Sequence, residues 1–297
     1  MNSRNRYKLL PHKKEKIHGF DRNSAQIVGW EISDFDIQSY WKYSTGSNIV
    51  VGVLDTGCDI NHDDLKANIL DGYNAIEDNS NCNDDNGHGT HVAGTVAAKN
   101  NSLGMVGVSP DAKILPIKVL NKNGSGTAAH IAKGIFWAAK NGCDIITMSL
   151  ASPGSSTLIE NAIKYAIDNN VVVVCAAGNN GQSHPIMYPA KLDTTIAVGA
   201  VGKSLNICDF TCMGPELDFL SPGENIFSCA PNNSYAIMSG TSMATPFAVG
   251  CIALSLSAIK NYKAYTNKHK LISLLNSNTL KIKDSPCGII RPNVPSS

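Results

Sequence analysis

Three short segments carry side chains that together could perform nucleophilic catalysis. Asp55 directly follows the apolar run IVVGVL, His88 stands between two glycines in residues 87–95, and Ser242 lies in SGTSMATP, residues 239–246. A serine hydroxyl is a weak nucleophile that needs an adjacent base, and the base needs an anion to fix its tautomer. Asp, His and Ser in this order therefore predict a triad for acyl transfer.

Taken singly, each of these residues has a simpler explanation. An Asp after a strand usually caps a turn, and a Ser at a helix start usually caps the helix. We expect His91 to be a packed, hydrogen-bonded histidine, because a zinc helix needs two histidines four apart with a Glu between them. Cys208 and Cys212 lack a second ligand pair nearby, so we do not predict a metal site there. The three segments gain their meaning from occurring together.

The elements that would position these side chains alternate along the chain. Apolar runs rich in β-branched residues predict buried strands at 49–54, 113–119, 144–149 and 171–176. Helical spacing of apolar residues predicts helices at 126–140 and 158–167, and a further helix from about Ser242 past Ala253. This alternation predicts an α/β fold, a three-layer, doubly wound, mostly parallel sheet with helices on both faces. Asp55 would lie at the carboxyl edge, where active sites of such sheets form.

Length and composition indicate one globular domain. The chain has 297 residues, of which 43% are hydrophobic and 16% charged, enough for a sizeable core. We predict an N-terminal extension over residues 1–20, a catalytic domain over 21–280 and a C-terminal tail over 281–297.

Charge and cysteine content bear on partners and location. A net charge of +1 gives no indication of a nucleic-acid or membrane partner. Several of the nine cysteines lie in apolar runs and resemble buried free thiols, which favours a reducing compartment. The first residues are polar and basic without an apolar stretch, so we expect a cytoplasmic location.

These motifs closely resemble the subtilisin-like serine proteases, the subtilase family or peptidase S8, over roughly residues 25–260. The matching segments are DTG at 55–57, HGTHVAGT at 88–95, AAGN at 176–179 and GTSMA at 240–244. The resemblance implies a serine endopeptidase that acts on proteins or peptides through an acyl-enzyme. It gives nucleophile, base and orienting roles to Ser242, His88 and Asp55, and it makes Asn179 the oxyanion donor.

The resemblance also implies a substrate cleft. Gly124, Ser125 and Gly126 correspond to the edge strand that pairs with an extended substrate. The opposite wall of the S1 pocket corresponds to residues 149–152, with Gly178 nearby. That wall consists of Ser149, Leu150, Ala151 and Ser152. Ala151 and Ser152 replace two glycines usual in the family, which narrows the cleft, and we expect a neutral, apolar P1 side chain.

A structural calcium ion is the implied cofactor. Its ligands would be the side chains of Asp64 and Asn101 and the carbonyl oxygens of Lys99, Leu103 and Met105. The alternative for this Asn-Asn-Ser segment is an ordinary polar turn. Tyr188–Pro189 stands where the family has a cis peptide bond.

Further features resemble the intracellular branch of the family. The segment DTGCD at 55–59 is one, and Leu9-Leu10-Pro11 is another. In that branch a similar Leu-Ile-Pro motif lies across the active site and delays activity until it is cut. Here Leu10 and His12 replace the usual Ile and Tyr. Homodimers are typical of the branch, so the resemblance is compatible with a homodimer of this chain. Phe247 replaces a usual histidine, and we expect an effect on packing only.

Two alternatives accompany the prediction of an intracellular endopeptidase. The altered S1 wall suggests a dedicated processing protease that matures one precursor peptide. The second alternative is a non-enzymatic function: a catalytically silent binding module that keeps the fold. Residues of the required type occupy all four catalytic positions, Asp55, His88, Asn179 and Ser242, which favours an enzyme.

Overall fold

The computed structural model describes residues 6–16, 25–282 and 285–294. The strands are β1 (Arg6–Leu9), β2 (Lys13–Lys16), β3 (Val50–Asp55), β4 (Tyr73–Asn74), β5 (Lys113–Lys118), β6 (Ser125–Thr127), β7 (Ile145–Met148), β8 (Leu150–Ala151), β9 (Val172–Ala176), β10 (Ile196–Val201), β11 (Leu217–Pro222), β12 (Ile226–Ala230) and β13 (Ser234–Ser239). The helices are α1 (Trp30–Ser33), α2 (His88–Ala97), α3 (Ala128–Lys140), α4 (Thr157–Asp168), α5 (Thr241–Ser257) and α6 (Lys268–Asn276), with short 3-10 helices at Ile37–Tyr40 and Tyr262–Tyr265.

A seven-stranded parallel sheet forms the centre of the molecule, in the order β11-β10-β9-β7-β3-β5-β4. The four predicted strands are confirmed as β3, β5, β7 and β9, which are its central members. The chain moves from β3 to β5 on one side and then crosses to β7 on the other side. Strand order therefore reverses around β3, and this reversal opens a crevice at the carboxyl end of β3.

Helices cover the sheet as two layers, which confirms the predicted α/β architecture. Helices α2 and α5 pack against each other and on one face, whereas α3 and α4 form the pair on the other face. Nearly every residue of α5 is buried. A helix that is apolar all round belongs inside a core, so α5 serves as a rigid buried support for its first residues.

Two small antiparallel sheets flank the carboxyl edge, and the N-terminal segment supplies one strand to each. Strand β1 lies between β6 and β8, while β2 adds to the edge of β13. Lys8 pairs with both Ser125 and Ala151. Lys13 pairs with Ser239. The segment therefore runs from between β6 and β8 to the edge of β13, with a strand at each end. Predicted extension residues 1–5 and 17–20 lie outside the described residues.

The segment predicted as a C-terminal tail is tied to the core. Ile289 pairs with Leu220 of β11 and with Leu280. Ile289 and Ile290 are both fully buried. Because two isoleucines enter the core here, this C-terminal segment packs along the β11 edge of the sheet and is not a loose tail. Within the described residues, no helix combines the length and apolar character needed to cross a membrane.

All nine cysteines lie in the described part of the chain and are free thiols, whereas the sequence indicated this only for several in apolar runs. Eight are buried, and Cys287 is partly exposed. Burial raises the pKa of the Cys175 thiol above its ordinary value, because the apolar surroundings disfavour a thiolate. Such thiols behave as small apolar core side chains.

Candidate active site

Asp55 and His88 form a buried pair at the reversal point of the sheet. Asp55 is the last residue of β3, and His88 is the first residue of α2. His88 Nδ1 lies 2.9 Å from Asp55 Oδ1 and 3.0 Å from Oδ2. A carboxylate accepts here, so Nδ1 carries the proton and Nε2 keeps its lone pair. Nε2 has no hydrogen-bond partner among the described residues, which leaves it available as a base.

Glycines allow the close approach of α2 to the end of β3. Gly87 has a φ of +104°, a conformation that L side chains rarely adopt. A Cβ on Gly89 would lie 2.1 Å from the carbonyl oxygen of Gly57. The flanking glycines of the motif thus bring His88 within reach of Asp55.

Ser242 lies at the start of α5, with its side chain fully buried. Its Oγ donates a hydrogen bond of 3.4 Å to the carbonyl oxygen of Ser149, and Ser149 Oγ donates at 3.0 Å to the carbonyl oxygen of Ser242. The described residues contain no hydrogen bond between Ser242 and His88. The structure thus pairs Asp55 with His88 directly, whereas the Ser242 hydroxyl points to the carbonyl oxygen of Ser149.

The side chain of Asn179 is fixed by Thr241, the residue before Ser242. Asn179 Oδ1 accepts hydrogen bonds from Thr241 N at 2.9 Å and from Thr241 Oγ1 at 2.7 Å. Its Nδ2 points away from Thr241 and donates to the carbonyl oxygen of Pro11 at 2.7 Å. A Cβ on Gly240 would lie 2.9 Å from this nitrogen, so the glycine keeps the space around the donor open. Asn179 can therefore present an N–H to a carbonyl beside Ser242.

The predicted cleft residues surround the chain's own β1. Leu9 N donates to the carbonyl oxygen of Gly124 at 2.8 Å, and Tyr7 pairs with Gly126. Leu10 is 3% exposed and packs in a cluster with Ala151 and Ala176. The two cleft walls, β6 and β8, thus hold an extended strand with apolar side chains between them.

Two further predicted cleft residues, Ser152 and Gly178, are placed by their backbone contacts. Ser152 exchanges two backbone hydrogen bonds with Tyr188, at 2.9 and 3.0 Å, and the Tyr188–Pro189 peptide bond is cis, as predicted. Gly178 has a φ of +123°, and a Cβ there would lie 2.8 Å from Cys212 Sγ. Tyr188 therefore holds the backbone of Ser152 in place, and Gly178 shapes the turn that leads to Asn179.

A cage of oxygen atoms lies at the predicted calcium loop. Gln26 Nε2 lies within 3.1 Å of four acceptors. These are the carbonyl oxygens of Lys99 (2.8 Å), Leu103 (2.7 Å) and Met105 (3.0 Å) and the Oδ1 of Asn101 (3.1 Å). A primary amide has only two N–H groups, so four acceptors exceed what it can satisfy. The two ends of a glutamine amide are interchangeable by rotation, and Oε1 in this place would complete a set of hard oxygen ligands.

Asp64, predicted as a calcium ligand, borders this cage. Its carboxylate accepts from Met105 N at 2.9 Å and from Tyr235 Oη at 2.8 Å, and Asn101 Nδ2 lies 3.5 Å from Oδ1. The donor set fits calcium. Gln26 was not among the predicted ligands, because a lone glutamine carries no motif and only its contacts reveal its place.

A second group of potential ligands does not suit a metal. Ligand atoms of His62, Asp64 and Cys229 lie within 4.8 Å of one another. His62 Nδ1 accepts from Asp64 N at 3.2 Å, so Nε2 carries the proton and donates to Ser234 O at 3.1 Å. Both ring nitrogens are thus occupied.

His91 is buried and bonded to the carbonyl oxygen of Ile226 at 3.1 Å, as predicted for a packed histidine. Burial, with a smaller contribution from His88, lowers the pKa of His91 to about 3. The ring is therefore neutral. Phe247 is fully buried and meets Phe35 edge to face at 5.7 Å, which fits the packing role expected for it.

Comparisons with known proteins agree with this geometry. The model of the subtilase family, peptidase S8, matches residues 46–288. Subtilisin DY of Bacillus licheniformis is 45% identical over 231 residues, which cover 77% of this chain and 84% of that protein. The major intracellular serine protease of Bacillus subtilis (strain 168) is 44% identical over 235 residues, 76% of this chain and 72% of that protein. An intracellular serine protease of Paenibacillus polymyxa is 41% identical over 255 residues, 83% and 78% respectively.

A match of this extent, on a fold with Asp55 and His88 paired at the carboxyl end of β3, identifies the family. The chain belongs to the subtilase family and is a serine endopeptidase.

Proposed function

We propose that Asp55, His88 and Ser242 are the catalytic triad of this endopeptidase. The observation that carries the proposal is the buried contact of His88 Nδ1 with both oxygens of Asp55, at 2.9 and 3.0 Å, which leaves Nε2 unpaired among the described residues. With substrate bound, Ser242 Oγ rotates from Ser149 toward Nε2 and attacks the scissile carbonyl. His88 takes the hydroxyl proton and gives it to the leaving amine, and water then hydrolyses the acyl-enzyme.

The tetrahedral oxyanion would be held by Asn179 Nδ2 and the backbone N–H of Ser242. Two hydrogen bonds from Thr241 lock Asn179 in place before substrate arrives. The positive end of the α5 dipole adds to the same stabilisation. Donors that need no reorganisation during the reaction are the effective ones.

Residues Leu9, Leu10 and Pro11 would act as an inhibitory segment. Leu10 occupies the apolar pocket beside Ala151, the place of a P1 side chain. The carbonyl that reaches Asn179 belongs to Pro11, whereas the Leu10 carbonyl lies 3.0 Å from His12 Nδ1. A P1 residue must present its own carbonyl to the oxyanion donor, so this segment binds one residue out of step and resists cleavage.

His12 contributes to the block over His88. The two ring centroids lie 5.0 Å apart. Burial, and then the nearby His88, lower the pKa of His12, which keeps the covering ring neutral near pH 7. A neutral ring over the base adds no charge repulsion, so the segment can stay in place. Removal of residues 1–20 would uncover the cleft.

Calcium and location complete the proposal. Calcium would be held by Asp64, Asn101 and Gln26 side chains with carbonyl oxygens of the same loop, and it would stabilise the fold without entering the reaction. A cytoplasmic location is supported by the nine free thiols and by two relatives named as intracellular proteases.

The first test compares casein hydrolysis and fluorophosphonate labelling for the full-length chain, the chain without residues 1–20, and Ser242→Ala. We expect truncation to raise both rates and Ser242→Ala to abolish them. Ser255→Ala, which removes a buried hydroxyl from the same helix, serves as the control and should keep wild-type rates. Unchanged hydrolysis in Ser242→Ala would refute the triad. If the fluorophosphonate labels Ser242 in none of these forms, the silent binding module is favoured.

The second candidate is a processing protease with one precursor as its substrate. Ala151 and Ser152 favour it, because their side chains stand in the S1 wall where the family usually has glycines, and they are only 5% and 2% exposed. A panel of peptides with varied P1 residues separates the two. Cleavage of one sequence alone would indicate processing, and cleavage of many apolar P1 residues would indicate a general endopeptidase.

A further inference from the structure

The carboxylate of Asp84, just before α2, accepts five hydrogen bonds. Its Oδ1 accepts from Thr56 Oγ1 at 2.8 Å, Asn86 N at 3.0 Å and Gly87 N at 2.9 Å. Its Oδ2 accepts from Thr90 N at 2.9 Å and Thr90 Oγ1 at 2.7 Å. Three of the donors are backbone N–H groups: Asn86 N and Gly87 N lie just before α2, and Thr90 N lies in its first turn, where helix N–H groups have no partner within the helix. A carboxylate there also interacts favourably with the helix dipole.

Thr56 connects Asp84 to both members of the catalytic pair. Its N–H donates to Asp55 Oδ1 at 2.7 Å, which orients the carboxylate that faces His88. Its Oγ1 accepts from Gly89 N at 3.0 Å, next to His88. Because the hydroxyl proton of Thr56 is donated to Asp84, a lone pair of Oγ1 is directed to Gly89. Asp84 thus fixes the orientation of a hydroxyl that bridges the end of β3 and the first turn of α2.

We propose that Asp84 is a positioning residue that holds Asp55 and His88 in their two-oxygen contact; for its catalytic consequence the proposal rests on the proposed function. Asp84 has no hydrogen bond to Asp55, His88 or Ser242 among the described residues and acts through Thr56 and the first turn of α2. The two segments it joins carry residues 33 positions apart in the chain. A misplacement of about 1 Å between reacting groups costs about 10²-fold in rate. Loss of the Asp84–Thr56 link between the end of β3 and α2 should therefore lower the rate about 10–100-fold.

Two substitutions test the Asp84–Thr56 link in different ways. Asp84→Asn keeps the shape but supplies one acceptor oxygen, and its NH₂ group would face donors on the other side. Thr56→Val keeps the shape of the neighbouring side chain and removes only the hydroxyl, so Gly89 N–H loses its acceptor and no charge changes. Thr56→Ser keeps the hydroxyl and is the conservative rescue.

Asp85→Asn is the matched control. Asp85 is the next residue, its side chain is 52% exposed, and its Oδ1 bonds to Lys118 Nζ at 2.7 Å instead of to α2. Asp85→Asn keeps an acceptor oxygen for Lys118, which also donates to the carbonyl oxygen of Thr56. The same chemical change at this neighbouring residue therefore leaves the hydrogen bonds of Thr56 and of the first turn of α2 in place.

The experiment uses full-length chains and two readouts. One is the far-downfield proton resonance of His88 Nδ1–H in the NMR spectrum, assigned by its loss in His88→Ala. The other is the rate of labelling of Ser242 by a small fluorophosphonate, taken relative to wild type so that the shared N-terminal segment cancels. We expect Asp84→Asn and Thr56→Val to shift or broaden the resonance and to slow labelling about 10–100-fold. Thr56→Ser and Asp85→Asn should stay within about twofold of wild type.

A wild-type resonance and labelling rate in folded Asp84→Asn and Thr56→Val would overturn the proposal, as would an equal effect of Asp85→Asn. Should Asp84→Asn fail to give a cooperative thermal transition, Thr56→Val decides alone. A chain without residues 1–20 that shows the resonance but never labels would refute the proposed function, and the resonances of the full-length variants would still decide the role of Asp84.

Discussion

The side-chain amide of Asn179 donates a 2.7 Å hydrogen bond to the backbone carbonyl of Pro11, one residue beyond the leucine that fills the apolar pocket. A productive substrate would supply the pocket side chain and the carbonyl from the same residue. Here adjacent residues supply them, because the Leu10 carbonyl lies near His12 Nδ1 and the Pro11 carbonyl accepts from Asn179. Proline also lacks the N–H that the leaving amine of an ordinary peptide bond carries.

Leu10→Asp in the full-length chain should activate the enzyme without truncation. Full burial of a leucine is worth about 1.5–3 kcal/mol, and a carboxylate in the same apolar pocket is unfavourable. We therefore expect the segment to leave the cleft and casein hydrolysis to rise at least about 10-fold toward the rate of the truncated form.

Lys8→Asp is the control for that change, because Lys8 lies in β1, two residues before Leu10, and its side chain is exposed. It should leave the rate of the full-length chain low. Equal activation by both variants would point to a charge effect on the whole segment, and activation by neither would contradict inhibition through the pocket.

Asn179→Ala should lower kcat with little change in KM. As the proposed oxyanion donor, the amide nitrogen would meet charge that develops only in the transition state, and the loss known for removal of this donor in subtilisin, about 10²–10³ in kcat, sets the expected scale. Thr241→Val, which removes one of two hydrogen bonds to Asn179 Oδ1, should cost less. Steady-state kinetics on truncated chains with a peptide substrate measure both. A rise in KM alone would assign Asn179 to substrate binding.

The central strands and the site motifs were predictable from sequence because their signals are local. Residues 171–176 are apolar throughout and β-branched at four of six positions, a pattern typical of a strand buried on both faces. The strand β2 reads KKEK and has no such signal. Its conformation comes from hydrogen bonds to the edge of β13, which is distant in sequence. Pairing of this kind overrides local preference.

The supporting residues of the site escaped prediction for a related reason. Gln26, Thr56 and Asp84 are single polar residues in loops or at an element end, where such residues are common. Their importance depends on how many donors or acceptors converge on them, and convergence arises only when distant segments meet. The C-terminal residues Ile289 and Ile290 were likewise hidden, because two isoleucines in a Pro- and Ser-rich stretch do not form a periodic pattern.

Removal of calcium with EDTA should lower the melting temperature. An ion at about 100 times its Kd stabilises the folded state by about 2.7 kcal/mol. The calcium-dependent part of the stability should shrink in Gln26→Ala and in Asp64→Asn. Thermal melts with and without calcium give this increment, and the increment must be compared because Asp64 also bonds Tyr235.

Gln38→Ala, a change at an exposed glutamine of the 3-10 helix Ile37–Tyr40, is the control and should keep the full increment. If Gln26→Ala and Asp64→Asn respond to EDTA as wild type does, calcium binds elsewhere or not at all, and the oxygen cage is an ordinary turn.

Glu31→Gln should stabilise the protein above neutral pH and leave it unchanged in acid. Glu31 is 1% exposed, and its Oε2 has no partner among the described residues. Burial, aided by Asp34 and opposed by a backbone hydrogen bond, raises its pKa from 4.5 to about 7. The folded state therefore holds this proton more tightly than the unfolded state, so stability falls as pH rises from about 4.5 to 7. Complete ionisation costs about 3 kcal/mol, a cost that glutamine does not incur.

Urea denaturation between pH 4.5 and 8 measures this difference, with the exposed Glu77→Gln as control. The gap in unfolding free energy between Glu31→Gln and wild type should open by about 3 kcal/mol up to pH 7 and then stay level. Glu77→Gln should show no such gap, because an exposed carboxylate is hydrated in both states. A gap that stays flat for Glu31→Gln as well would show that Glu31 keeps an ordinary pKa, and hence that water reaches Oε2 in the folded protein.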